Sequence, residues 1–105
     1  MNEIIVLSTT DTIELAKRIA RELVEEKEAA CVNILPGISS IYRWEGKICE
    51  DSECLLVIKS SRNNFDLIKA RIKKLHTYTT PEIIAVPIEF GDETYLNWLR
   101  SSIEE

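Results

Sequence analysis

The fold is decided by residues 29–59, which read AACVNILPGISSIYRWEGKICEDSECLLVIK. Two extended arms, residues 29–44 and 47–59, flank Glu45-Gly46, which suits a two-residue hairpin turn because glycine tolerates a positive φ. Residues 29–43 would span about 50 Å as one straight strand, which is too long for a small domain. We therefore predict a long hairpin that is broken and bent at Pro36-Gly37 and that projects at its tip.

Helices and strands alternate on both sides of this hairpin. The predicted elements are a strand at 4–7, a helix with an Asp11–Glu14 capping box ending near 26–27, the hairpin, a helix capped by 61–64, a loop at 76–80, a strand at 82–88 and a short helix from 91. The order strand, helix, strand, strand, helix, strand is the ferredoxin-like βαββαβ arrangement. We predict an α+β sandwich with a short C-terminal helix, formed by residues 1–105 as one domain.

The predicted strands are apolar at both alternating positions. Residues 4–7, 54–58 and 83–86 contain almost no polar side chain, so both faces of the sheet require a cover. Two helices cover one face, and we expect no remaining element of the chain to be large enough for the other. Self-association is the simplest cover, because a monomer would expose a large apolar patch.

Composition and charge exclude several function classes. The chain has 105 residues and a net charge of −5, which disfavours nucleic acid and anionic membrane surfaces as partners. It has no apolar run of about 18–20 residues and no signal-peptide pattern at its start, so we expect a cytoplasmic protein with no membrane partner. Three cysteines without a C-x-x-C pair argue against a disulfide framework and against a zinc site built from cysteine pairs.

A few polar residues are candidates for chemistry. His76, the only histidine, suits metal ligation, acid–base catalysis or a plain helix cap. Lys59 ends an apolar strand. Its side chain either extends into solvent or lies beside a carboxylate such as Glu82 and contacts an anionic ligand. Cys31 is expected to be a packed core thiol. No nucleophile has a visible partner base, so we expect no enzymatic activity.

The hairpin itself carries an acidic arm and an aromatic tip. Glu45, Glu50, Asp51 and Glu53 indicate either a solvated face or a weak attraction for divalent cations. Trp44 lies beside the turn, where a monomer would expose it, so we expect it to contact another subunit.

Three segments together resemble the CutA family of divalent-cation tolerance proteins. They are AACVNILPGISSIYRWEGKI at 29–48, LHTYTTPEIIAVPI at 75–88 and YLNWL at 95–99. The resemblance covers essentially the whole chain. It implies a ferredoxin-like subunit in a homotrimer whose long hairpins pair between subunits, a link to tolerance of copper and other divalent metals, and no established reaction.

The resemblance also identifies where this sequence departs from some bacterial members. Ser8 stands where they have a cysteine at the end of the first strand, and Leu75-His76-Thr77-Tyr78 replaces a His-His-Pro-Tyr run. His76 remains as a metal ligand, which suits weak binding of Cu(II) or another divalent cation with oxygen ligands. Lys59, Tyr78 and Glu82 are expected to line a cleft between subunits. The alternative function is a trimeric small-molecule-sensing or signalling module without a true metal site.

Overall fold

The computed structural model describes residues 2–103 and contains one four-stranded antiparallel sheet with three helices. The elements are β1 (Glu3–Thr10), α1 (Ile13–Glu25), β2 (Cys31–Trp44), β3 (Lys47–Ser61), α2 (Phe65–Leu75), β4 (Ile84–Pro87) and α3 (Glu93–Ile103). The strand order is β2-β3-β1-β4, and every neighbouring pair is antiparallel. This order confirms the predicted ferredoxin-like α+β fold with its long hairpin and C-terminal helix.

Helix α1 covers the sheet with one apolar stripe. Ala16, Ile19, Ala20 and Leu23 recur at helical spacing and are buried. The helix begins one residue later than its capping box predicted, because the hydroxyl of Thr12 accepts the hydrogen bond from the Leu15 amide at 3.1 Å. The assignment of Asp11 as the cap was therefore wrong.

The main core lies between the sheet and helices α1 and α2. Its largest fully buried members, from both layers, are Val6, Ile19, Leu23, Leu56, Ile58, Ile68 and Ile72. The even-numbered positions of β1 and β3 point toward the helices, since side chains alternate across a strand. Their odd-numbered neighbours form the second face, which we call the open face.

The hairpin turns where the sequence predicted. Trp44 pairs with Lys47, and both turn residues have positive φ, 50° at Glu45 and 78° at Gly46. The break predicted at Pro36-Gly37 takes the form of a register shift, after which β2 continues as one strand to Trp44. The extra backbone is absorbed at Gly37, whose φ is 71°.

Helix α3 covers one end of the open face, which corrects the prediction that no element was left to do so. It packs against β3, and Arg100 on the helix forms an ion pair with Glu3 at 2.9 Å. Glu3 shares its side of β1 with Ile5 and Leu7, so α3 lies on that side. Elsewhere on the open face Leu35, Ile84 and Val86 stay exposed.

The bounds of the central strand β1 and of the edge strand β4 also differ from the prediction. Strand β1 extends to Thr10, beyond the predicted end at Leu7, because β3 provides hydrogen-bonding partners along its whole length. Strand β4 is shorter than predicted and pairs only with residues 4–7 of β1. Among the described residues, no helix has the length and apolar character needed to cross a bilayer.

Candidate functional site

An open cleft of about 610 Å³ lies between the hairpin and the loop that follows α2. Three aromatic side chains line it, Tyr42 and Trp44 from β2 and Tyr78 from the loop. Two carboxylates, Glu53 and Glu82, also line it. The remaining polar lining consists of the hydroxyls of Thr9, Ser40, Thr77, Thr79 and Thr80.

Strand alternation brings the hairpin residues of the cleft to one side. Ser40, Tyr42 and Trp44 are spaced two apart on β2 and therefore share a face. The register opposes Ser40 to Asp51, so the odd-numbered residues of β3, including Glu53, lie on the same face. The cleft is thus a continuation of the open face toward the hairpin tip.

His76 fixes the loop to the end of β1. Its Nε2 lies 2.7 Å from the carbonyl oxygen of Thr9, and its Nδ1 accepts a hydrogen bond from the amide of Tyr78 at 3.0 Å. These partners correspond to the neutral tautomer with the proton on Nε2. The imidazole also packs against the Tyr78 ring, with centroids 4.6 Å apart.

Tyr78 and Glu53 form the polar centre of the cleft. The Tyr78 hydroxyl donates to Oε2 of Glu53 at 2.6 Å. Burial first, and then this hydrogen bond, raises the pKa of Tyr78 well above its usual value, so the phenol stays neutral and remains a donor. Glu53, which accepts this hydrogen bond, is only 9% exposed.

A second tyrosine–carboxylate pair lies nearer the hairpin tip. The hydroxyl of Tyr42 donates to Oδ2 of Asp51. That hydrogen bond, with a smaller contribution from burial, raises the pKa of Tyr42 to about 12. Both tyrosines of the cleft are therefore neutral donors at physiological pH.

The structure brings together some of the predicted cleft residues and separates another. Tyr78 and Glu82 line the same cleft. Lys59 pairs with Ile5 on β1, four residues, or about 13 Å, along that strand from Thr9 in the cleft. Within residues 2–103 it forms no ion pair with Glu82. A single chain therefore does not place Lys59 in the cleft.

The residues of one chain do not fit a complete metal site. Both ring nitrogens of His76 already have hydrogen-bond partners. No three His, Cys, Asp or Glu side chains within residues 2–103 are grouped closely enough to hold an ion. Ser8 is fully buried on the helix side of the sheet, where its Oγ has no partner in that range. The role of His76 as a ligand stays a prediction, and binding would require it to give up a hydrogen bond.

Sequence reasoning did not assign Glu53, Tyr42 or Thr9 to the site. Glu53 was one of four acids on an arm that suggested a solvated face, yet it is buried. The available signal was its two-residue spacing from the apolar Leu55 and Val57, which places all three side chains on one face of β3. Tyr42 and Thr9 had no signal, because their position depends on a loop that is distant in sequence. Cys31, expected in the core, is only partly buried on the open face.

Comparison with known proteins identifies the family. The model of the family described as CutA1 divalent ion tolerance protein matches residues 4–102. This chain belongs to the CutA1 family. A divalent-cation tolerance protein CutA from Thermus thermophilus is 52% identical over 100 residues, covering 95% of this chain and 97% of that protein. The chloroplastic CutA 1 of Oryza sativa is 46% identical over 97% of this chain, which spans 58% of the rice protein.

Solved CutA structures agree with the fold over nearly the whole chain. The Thermus thermophilus structure has a TM-score of 0.94 at 51% identity and covers 97% of this chain and 99% of its own. CutA from Xylella fastidiosa has a TM-score of 0.96 at 38% identity, covering 99% of this chain and all of its own. These names describe divalent-cation tolerance and no catalysed reaction.

Proposed function

We propose that this CutA1-family chain is a homotrimeric divalent-cation tolerance protein that binds Cu(II) or another divalent cation weakly and catalyses no reaction. The observation that supports weak binding is the hydrogen bonding of His76, because both of its ring nitrogens already have hydrogen-bond partners. A metal would have to displace the Thr9 carbonyl or the Tyr78 amide, at a cost of about 1 kcal/mol for a lost hydrogen bond. Imidazole with hydroxyl and carboxylate oxygens suits Cu(II) chemically.

Calorimetric titration of tag-free protein with Cu(II) tests the metal proposal. We expect micromolar or weaker binding in the parent chain and a further loss of affinity in His76→Ala. Glu89→Gln, which changes an exposed carboxylate that does not line the cleft, is the matched control and should leave the titration unchanged. Identical titrations of His76→Ala and parent would exclude His76, and sub-micromolar affinity would overturn the weak-binding proposal.

The homotrimer is supported by the open face. Leu35, Ile84 and Val86 are 45–52% exposed there, and Leu55 and Val57 beside them are half-buried. At the hairpin tip Ile41, Trp44 and Ile48 are 50–71% exposed. Burial of this surface between copies through the hairpins and sheet edges would remove apolar area from water.

Sedimentation equilibrium at micromolar concentration tests the assembly. Three chains of 12.0 kDa give an expected mass of about 36 kDa. A mass that stays at the monomer value across the concentration range would overturn the trimer.

The cleft favours a second candidate, a trimeric small-molecule-sensing module. Its volume of about 610 Å³ lies within the range of small-molecule sites, about 300–1,000 Å³. The earlier expectation of an anionic ligand at Lys59 would require a neighbouring subunit, since Lys59 lies apart from the cleft in its own chain. Thermal stabilisation by an anion that Lys59→Ala abolishes would support that form of the proposal.

Location in the cytoplasm, the absence of nucleic-acid and membrane partners, and a single domain over residues 1–105 remain part of the proposal. Relatives carry different compartments in their names, periplasmic for the Archaeoglobus fulgidus structure and chloroplastic for the rice protein. Fractionation of the source cells, with an antibody against this chain, would test the cytoplasmic assignment.

A further inference from the structure

Helix α2 and the turn before it concentrate positive charge in an acidic chain. Residues 62–75 contain five of the 13 basic residues and one of the 18 acidic residues, whereas the whole chain has a net charge of −5. The helix dipole favours cations in the last turn, which accounts for Lys73 and Lys74 but not for Arg62 or Lys69. The positive charge of this segment therefore exceeds what the helix end favours.

The outer face of α2 centres on Ala70. Ile68 and Ile72 are fully buried against the sheet. Residues two apart in an α-helix point to nearly opposite sides, so Ala70 lies farthest from the core. Its neighbours on the outer face, three or four residues away and all exposed, are Asp66, Leu67, Lys73 and Lys74.

The proposed trimer leaves this outer face free. Helix α2 packs on the helix side of the sheet, and the open face lies on the other side. The apolar residues assigned above to the contact between copies belong to the open face and to the hairpin tip. Leu67, which is 50% exposed, therefore stays on the outside of the assembly.

The acids of α1 and of the loop after it do not neutralise the outer face. Arg71 donates to Glu22 at 3.1 Å and to both carboxylate oxygens of Glu28 at 3.0 Å. Its side chain is only 20% exposed. Arg71 therefore connects the two helices, and these two carboxylates are already paired with it.

The other basic residues of the segment have little internal pairing. Lys69 lies 3.9 Å from Asp66, whose side chain is 91% exposed, so the pair is weak. Three cations form no ion pair within residues 2–103, namely Arg62, Lys73 and Lys74. Their charge is available to an anionic partner.

The charge distribution favours a short acidic partner over an extended polyanion. A nucleic acid or an anionic membrane would also meet the repulsion of the whole chain, whose net charge is −5. The Debye length is about 8 Å at physiological ionic strength, so a segment confined to α2 senses mainly the local positive charge. Leu67 and the methyl group of Ala70 offer an apolar centre beside the lysines.

We propose that the outer face of α2 is a docking surface for an acidic amphipathic segment of another protein. Carboxylates of that segment pair with Lys69, Lys73 and Lys74. An apolar side chain of the segment packs on Leu67 and Ala70, which gives the apolar centre and polar rim typical of interfaces. The proposal goes beyond the cation-tolerance function and depends on neither His76 nor the open face.

Fluorescence anisotropy of a labelled peptide tests the docking surface on the full chain at about 0.15 M NaCl. The peptide EELEELLEELE has the 11-residue length of α2 and presents glutamates around leucines at helical spacing. The comparison peptide QQLQQLLQQLQ has glutamine in place of each glutamate. We expect saturable binding of the acidic peptide and at least tenfold weaker binding of the glutamine peptide.

Two double variants with the same change in charge locate the site. Lys69→Gln combined with Lys73→Gln should weaken binding of the acidic peptide about fivefold or more, because two ion pairs are lost. Lys17→Gln combined with Arg21→Gln removes equal charge from exposed positions of α1 and should bind like the parent. Leu67→Ala should weaken binding several-fold. All of these positions lie outside the core, and thermal melts without peptide verify folding.

Three outcomes would overturn the proposal: no saturable binding of the acidic peptide, equal losses in the two double variants, or equally tight binding of oligodeoxythymidine or phosphatidylserine vesicles. Equal losses would indicate general attraction to positive charge rather than a surface on α2. The metal proposal is tested separately, because it depends on the calorimetric response of His76→Ala.

Discussion

Glu3 and Arg100 form an ion pair that connects the first strand to the last helix. Glu3 is 3% exposed, and Arg100 donates to both of its carboxylate oxygens at 2.9 and 3.3 Å. This hydrogen bonding outweighs burial and holds the pKa of Glu3 below its usual value. A carboxyl with a lowered pKa stabilises the fold above its unfolded pKa of about 4.5, and the contribution disappears as pH falls through the folded value.

We therefore expect Arg100→Gln to lower the thermal midpoint at pH 7 and to differ little from the parent near pH 3. Melts followed by circular dichroism between pH 7 and pH 3 measure the difference. Arg18→Gln removes an exposed helix pair with Glu22 and should have a small effect at every pH. An Arg100→Gln deficit that persists unchanged in acid would show that Glu3 is not the cause.

Tyr78 supports the fold through its hydroxyl as well as its ring. Tyr78→Phe leaves the buried Glu53 carboxylate without its hydrogen-bond donor, so we expect a loss of about 1–3 kcal/mol in the free energy of unfolding. Urea denaturation at pH 7 measures it. Tyr95→Phe is the control, because the Tyr95 hydroxyl has no hydrogen bond within residues 2–103, and its effect should stay within about 0.5 kcal/mol. Equal losses in both variants would contradict this role.

At the residue scale, the sequence predicted only part of the candidate site. Tyr78 and Glu82 lie on one loop, so their shared position in the cleft followed from short-range sequence. Glu53 was not singled out, because an acidic arm ordinarily indicates solvent exposure, whereas here Tyr78 covers it from 25 residues away. The grouping of Lys59 with them would need a subunit interface, which local patterns do not reveal.

The hairpin turn holds Glu45 in a strained backbone conformation that another residue type would tolerate better. Glu45 has a φ of 50°, a left-handed conformation that costs an L-residue about 1–2 kcal/mol and that asparagine tolerates better. Glu45→Asn should therefore raise the free energy of unfolding by about 0.5–1 kcal/mol, measured by urea denaturation.

Gly46→Ala should lower the free energy of unfolding by about 1–2 kcal/mol, although a Cβ would meet open space there. A neutral Gly46→Ala would mean that the tip opens before global unfolding.

Element types and order were predictable, and element ends were less so. Apolar periodicity located the faces of α1 and α2, because burial and spacing coincide there. The cap moved from Asp11 to Thr12 because either residue type can accept the amide hydrogen bond, and the Thr12 hydroxyl is the group that accepts it from Leu15. Strand β2 runs through Pro36 because the bulge absorbs the residue that could not donate to the ladder.

The proposed trimer places the open face between copies of the chain. Ile84 and Leu67 are almost equally exposed, at 52% and 50%, but Ile84 belongs to the open face and Leu67 to the outer surface of α2. We expect Ile84→Glu to lower the mass measured by light scattering toward that of a monomer, since burial of a charge there is costly. Leu67→Glu should keep the parent mass. Retention of the trimer in both variants would exclude this face as the interface.

Helix α3 shows the limit of sequence reasoning at this scale. Its periodic apolar residues, including the buried Leu96 and Leu99, predicted a helix but not the layer on which it lies. The contacts that hold it there are distant in sequence, as in the ion pair of Arg100 with Glu3, 97 residues away. Strand composition predicted a cover for the second face; α3 provides part of it, and a cover by further copies of the chain stays a prediction.

The central position of β1 has a consequence for synthesis on the ribosome. The strand made first has neighbours only in β3 and β4, and its residue Glu3 pairs with Ser61. At about 5–20 residues per second, that partner is translated about 3–12 s later. During this delay an apolar strand has no sheet to join, so nascent chains stalled before β3 should be bound by chaperones, and release of β3 from the exit tunnel should end that dependence.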